Sequence, residues 1–142
     1  MKPMGPEEWR TFLLEGQRTA KLATVRADGR PHVAPVWFVL DGDELVFTTM
    51  LSSVKGKNLS RDPRVMVSVD EESFPYAFVL IQGEARVERL SPGELLPWAT
   101  RIAARYVGEE RSEAYGRRNA VEGEALVRVP LARVNAVSGV AD

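Results

Sequence analysis

The sequence predicts an α+β fold: a small closed or split antiparallel β-barrel of about seven strands, with helices at its periphery. Three observations carry this. Apolar and polar residues alternate with period two along most of the extended segments. The early strands are joined by short polar turns, which leave no room for the helical crossovers of a doubly wound sheet. Helical period is confined to the N-terminus, a short central stretch and the region after residue 90. A length of 142 residues suits one domain, so residues 1–142 are read as a single unit.

The elements follow in order. Pro6 to Leu14 is a helix: Pro6 presets the first turn, Glu7 and Glu8 favour its positive end, and Trp9, Phe12 and Leu13 share a face. Thr19 to Arg26 alternates, with Ala20, Leu22 and Thr24 on one side. After the turn Ala27-Asp28-Gly29-Arg30, Pro31 to Leu40 reads as one continuous strand. Asp41-Gly42 signals a hairpin into Glu44 to Met50, which completes a three-stranded meander. Ser52 to Ser60 is a short helix or turn. Arg64 to Asp70 points Val65, Val67 and Val69 inward. Tyr76 to Leu90 reads as one long strand with a bulge or bend at Gly83. Ser91 to Val107 is helical, with Ser91 and Glu94 spaced as a capping box. Pro97 predicts a kink there or a later start. Glu109 to Arg118 is a second short helix, and Ala125 to Leu131 and Ala132 to Val137 close the chain as strands.

Composition narrows the chemistry. The formal net charge is −1, which gives no bulk attraction to nucleic acid or an anionic membrane. Cysteine is absent, which excludes disulfides, thiolate metal sites, Fe–S clusters and cysteine nucleophiles. His32 is the sole histidine, so a metal site is not expected. No apolar run approaches the ~20 residues of a membrane span, and Met1 to Arg10 lacks the pattern of a signal peptide. A cytoplasmic location is therefore the expectation. A chain so poor in nucleophiles and ligands, if an enzyme, is expected to borrow a cofactor.

The informative stretch runs from Gly29 to Val69. Lys55 and Lys57 lie beside Ser52, Ser53 and a flexible Gly56, and Lys55 to Arg64 carries four basic residues against one acid. Lysines and hydroxyls after a strand can hold a phosphate by charge-assisted hydrogen bonds, and a helix starting at Ser52 or Ser53 would add free N–H groups. The same residues also describe a solvated basic turn.

The ordered combination Asp28-Gly29-Arg30-Pro31, Thr48-Thr49, Lys55-Gly56-Lys57-Asn58-Leu59 and Arg61-Asp62-Pro63-Arg64-Val65 resembles the pyridoxamine phosphate oxidase-like split-barrel superfamily. It is most similar to the actinobacterial branch that uses coenzyme F420, a phosphorylated 8-hydroxy-deazaflavin with an oligoglutamate tail. The resemblance implies a homodimer with two cofactors in grooves between the barrels. It also implies that Pro35, Val36 and Trp37 line the ring system and that Thr48 and Thr49 hydrogen-bond the cofactor. Ser53, Lys55, Lys57 and Asn58 fall on its phosphate-binding segment, and the other subunit would contribute near Gln82. FMN-dependent relatives carry an arginine on the second strand; Val33-Ala34-Pro35 stands there instead, which favours F420 over FMN. The implied activity is an F420H2-dependent reductase acting on an unsaturated small molecule. The alternatives are an FMN-dependent oxidoreductase and a non-catalytic carrier of a flavin, deazaflavin or haem.

A histidine is a natural acid–base candidate, but His32 follows Pro31 at a strand start, a common place for a structural histidine. Trp37 can stack on a ring or fill the core. Trp98 and Tyr106 share a helical face that suits packing, and Glu109, Glu110, Arg111 and Glu113 suit a solvated surface.

Overall fold

Ten strands and four helices make up the fold, which a computed structural model describes for all residues, Met1–Asp142. β1 (Lys2–Pro3) and α1 (Pro6–Leu14) open the chain, followed by β2 (Ala20–Val25), β3 (Pro31–Val36), β4 (Val39–Asp41) and β5 (Glu44–Met50). Then come α2 (Val54–Arg61), β6 (Arg64–Glu71), β7 (Ala77–Glu84) and β8 (Arg86–Glu88). α3 (Pro92–Val107), α4 (Glu109–Asn119), β9 (Glu124–Pro130) and β10 (Arg133–Ser138) complete it. The strands form two antiparallel sheets: six strands in the order β1-β10-β7-β6-β2-β3, and four in the order β4-β5-β9-β8. This is the α+β split barrel.

The expectation of about seven strands needs correction. Two segments read as continuous strands each leave one sheet and enter the other. Pro31–Leu40 is divided at Trp37–Phe38 into β3 and β4, so the expected meander is split between the sheets. Tyr76–Leu90 is divided at Ala85, not at Gly83, which stays in register opposite Val65. The third additional strand is β1, paired with β10. At these breaks the backbone finds other partners, as buried amides must. The Phe38 N–H donates to the Tyr106 hydroxyl at 3.1 Å, and its carbonyl accepts from Arg105 at 2.9 Å. The Ala85 N–H donates to the Pro63 carbonyl at 2.7 Å.

The main core lies between the sheets. Leu22, Val67 and Ile81 meet Phe47, Val127 and Val129, and Trp9, Phe12 and Leu13 of α1 join the same cluster. A second core forms on the other face of the small sheet. There Val39, Val46 and Leu126 pack on Leu95, Ala99 and Ile102 of α3 and on Ala120. β5 and β9 are thus buried on both faces at Leu45–Phe47 and Ala125–Val127, which is why each carries three consecutive apolar residues there.

The helices start as their sequences direct. Pro6 opens α1. Ser91 and Glu94 form the capping box of α3, whose first turn contains Pro92. Pro97 sits inside α3 at an exposed position, where its missing N–H leaves the exposed Gly93 carbonyl to solvent. α4 lies so close to α3 that a Cβ on Gly116 would strike Thr100. No helix is long and apolar enough to cross a membrane.

Candidate functional site

α2 positions the first polar groups. Ser53 is its N-cap: the hydroxyl accepts from the Gly56 N–H at 3.1 Å and donates to the Met50 carbonyl at 2.7 Å. Thr49, 3% exposed, meets the same hydroxyl at 3.2 Å. Gly56 is not the flexible residue its surroundings suggested. It is buried in the helix, and a Cβ there would run into the Met50 carbonyl and the Leu51 backbone. The glycine lets α2 lie directly on the end of β5.

That seating separates the two lysines. Residues two apart on a helix project to nearly opposite sides. Lys55 lines a cleft with Pro35, Val36, Trp37 and Thr48, whereas Lys57 lines a different depression with Arg26, Asn58 and Arg61. Of the four basic residues in this segment, Arg64 pairs with Asp62 and Arg61 donates to the Val25 carbonyl. The Arg64 guanidinium, with its backbone N–H, holds the Asp62 carboxyl down at about 2. Lys55 and Lys57 have no acidic partner within 4.0 Å. The structure thus leaves two of the four cations free and sends them to separate places.

The cleft that holds Lys55 measures about 280 Å³ and is walled by β3, β5, α2, α3 and the end of α4. Its aromatic wall is Trp37, stacked on Tyr106 with ring centroids 5.1 Å apart and planes 4° from parallel. Tyr106 is fixed in turn: its hydroxyl accepts from Phe38 N–H and donates to the Arg18 carbonyl at 2.8 Å. Burial pushes that phenol above its ordinary value. The neighbouring Arg105 donates to the carbonyls of Phe38, Leu13 and Gly16, and burial lowers its affinity for its proton. Trp37 therefore both packs and faces the cleft.

Two lining residues carried no signal in the sequence, Asn119 at the end of α4 and Glu124 at the start of β9. Glu124 lies opposite Met50 in the ladder. Burial pushes its carboxyl above the usual carboxylate range, against the Thr48 hydroxyl and the Lys55 charge, which pull it down. Neither Lys55 nor Glu124 forms an ion pair, although both face one cavity.

The remaining residues singled out in the sequence lie elsewhere or are engaged. Asn58 is 3% exposed; its amide N–H donates to Thr24 at 3.0 Å and its oxygen accepts from Arg61 at 3.1 Å. Both ends of that side chain serve the fold. Gln82 is on β7, within a separate groove of about 620 Å³ on the outer face of the large sheet. A single chain does not bring it to the Lys55 cleft. His32 lines neither depression, and its Nδ1 is buried without a hydrogen-bond partner.

Residues 6–137 match the sequence family described as pyridoxamine 5'-phosphate oxidase. The chain belongs to that family. Solved structures place this member of the pyridoxamine 5'-phosphate oxidase family among split barrels of several kinds. A conserved hypothetical protein of Mycobacterium tuberculosis, Rv2991, superposes with a TM-score of 0.81 at 27% identity, over 96% of this chain and 86% of that one. An F420 reductase superposes with a TM-score of 0.69 at 27% identity, over 87% of this chain and 94% of that one. The haem storage protein HutZ of Vibrio cholerae shares the fold, with a TM-score of 0.73 at 18% identity over 98% of this chain and 100% of that one. Membership of the family points to an oxidoreductase.

Proposed function

We propose that the protein is an F420H2-dependent reductase of unsaturated small molecules, working as a homodimer. The observation that carries this is the cleft in which Pro35, Val36, Trp37 and Thr48 meet an unpaired Lys55. Those residues fit a phosphorylated ring cofactor: a flat aromatic wall, a hydroxyl, and one ammonium not already spent on an acid. The chemistry supplied by the bound cofactor is hydride transfer. The chain's own part is to stack the ring system against Trp37, to meet an anionic group with Lys55, and to exclude water with Ala99 and Ile102. No arginine stands on β3 to grip an FMN phosphate, which favours the deazaflavin over FMN.

Two observations support the dimer. A cleft of about 280 Å³ is small beside the ~300–1,000 Å³ of most cofactor and drug-sized sites. Pro35, on the edge strand β3, adjoins the outer face of the large sheet, where Val33 is 64% exposed and Met66 38%. A second copy docked on that face would supply the missing wall and bring its own Gln82 region towards the cleft.

Equilibrium binding of F420 and of FMN to the purified protein tests the reading. Preferential binding of F420, followed by turnover of F420H2 with an enone, quinone or nitro compound, is the expected result. Binding of FMN alone overturns the choice of cofactor. Tight F420 binding without reduction of any acceptor overturns the reductase in favour of a carrier.

A further inference from the structure

We infer that an anion entering the cleft beside Lys55 is bound together with a proton, which is taken up by the carboxyl of Glu124. The inference rests on the anion-binding part of the proposal above and concerns a residue outside it. From β3, β5, α2, α3 and α4, the residues that line the cleft with Glu124 include one other charged group, Lys55. The rest of the lining is apolar or neutral: Trp37, Ala99, Ile102, Thr48 and Asn119 among them. In the free protein one ammonium and one carboxylate balance across the cavity without touching. An arriving phosphate or carboxylate changes the sum. With Glu124 ionised, the half-buried cleft would hold two anions against one cation. With Glu124 neutral, it holds one of each, and the acid O–H can donate to the anion's second oxygen. A charge without a partner in a partly desolvated space is the costlier state. The balance therefore moves a proton from solvent to Glu124 as the anion binds.

The consequence follows from linkage. The Glu124 carboxyl already sits above its ordinary value through burial, and the anion raises it further. Between its values in the free and bound protein, affinity rises as the pH falls. Above that interval the ionised carboxylate opposes binding.

The test is titration calorimetry in two buffers of different ionisation enthalpy, which counts the protons exchanged. F420 and FMN are each compared with a phosphate-free analogue, the deazaflavin core and riboflavin. For a one-unit displacement, proton uptake peaking at about half a proton per site, midway between the free and bound values, is expected for the phosphorylated ligand and none for its analogue. Glu124→Gln keeps a hydrogen-bond donor and loses the titration. It should abolish the uptake, flatten the pH profile and bind about tenfold tighter than the parent at pH 8, since each unit of pKa displacement is worth tenfold. Protonation of the ligand's own phosphate is common to both proteins and cancels. Binding without proton uptake, uptake unchanged in Glu124→Gln, or affinity that rises with pH would each overturn the inference. Should neither F420 nor FMN bind, the cofactor reading falls by itself. The Glu124 proposal is then decided on inorganic pyrophosphate, with the 13C carboxyl resonance of Glu124 followed across pH. A titration moved upward by saturating pyrophosphate upholds it, and an unmoved one overturns it. The same resonance in the parent protein decides the matter if Glu124→Gln does not fold.

Discussion

β5 and β9 of the four-stranded sheet are buried on both faces, whereas β2 and β6 of the six-stranded sheet bury one face and leave the other open. The small sheet has the barrel core on one side and α3 on the other. The large sheet has the same core inside and no helix outside, and its outer row runs Val33, Ala23, Met66, Gln82, Arg133 across five strands. One region is completed within the chain; the other presents an open face on which the exposed Val33 and Met66 stand beside Gln82 and Arg133. The cleft lies at the boundary between them, since the β3–β4 corner that carries Trp37 belongs to both.

The largest effect is expected on the doubly covered side. Phe47 is fully buried, so Phe47→Ala should lower stability in urea unfolding by about 3–5 kcal/mol, while Met66→Ala changes the stability of the isolated chain by no more than about 0.5 kcal/mol. Equal costs would erase the distinction between the sheets. Next, Val33→Asp together with Met66→Asp should leave circular dichroism unchanged and raise the dimer dissociation constant at least about 100-fold in sedimentation, because like charges would face each other across an isologous contact. A parent chain that sediments as a monomer at micromolar concentration would remove the docking reading. At the boundary itself, Lys55→Ala should weaken F420 binding about tenfold and Lys57→Ala less than about threefold, because α2 turns the second lysine away from the cleft. Equal losses would restore a shared phosphate site. The smallest effect is expected at the corner: Tyr106→Phe keeps the stack on Trp37 but removes the bonds to Phe38 and Arg18, at a cost of about 1 kcal/mol in unfolding.

Much of the fold was legible because local rules and tertiary burial agree. Alternation places Leu22, Val65, Val67 and Val69 inward, and the Ser91–Glu94 capping box starts α3 where the spacing puts it. The corners were not legible. From Val36 to Leu40 the segment is apolar throughout, because it passes from one buried face to another, and period two gives no sign of a break. The partners that replace the ladder at Phe38 are Arg105 and Tyr106, far along the chain. For the candidate site, Pro35, Val36, Trp37, Thr48 and Lys55 were found in one stretch of sequence and share one cleft. The separation of Lys55 from Lys57 required knowing that Val54–Arg61 is a helix and not a turn. Ser53, Thr49 and Asn58 look like ligand groups by residue type, yet their polar atoms are occupied by capping and by Thr24. Glu124 and Asn119 had no motif to announce them, since only the packing of β9 against β5 and of α4 against α3 brings them to the cleft.

The Arg105 guanidinium holds carbonyls that lie 67, 89 and 92 residues away along the chain. Closing such long loops carries an entropic cost that local contacts do not repay, so structure of this kind consolidates late in folding. The wall formed by Trp37 and Tyr106 depends on that closure. A chain emerging from the ribosome therefore has no cleft until α3 and β9 have been made, and no partly folded species can retain a ligand by this route. A ligand held there binds only the fully assembled domain, so it raises the barrier to global unfolding more than it quiets local opening.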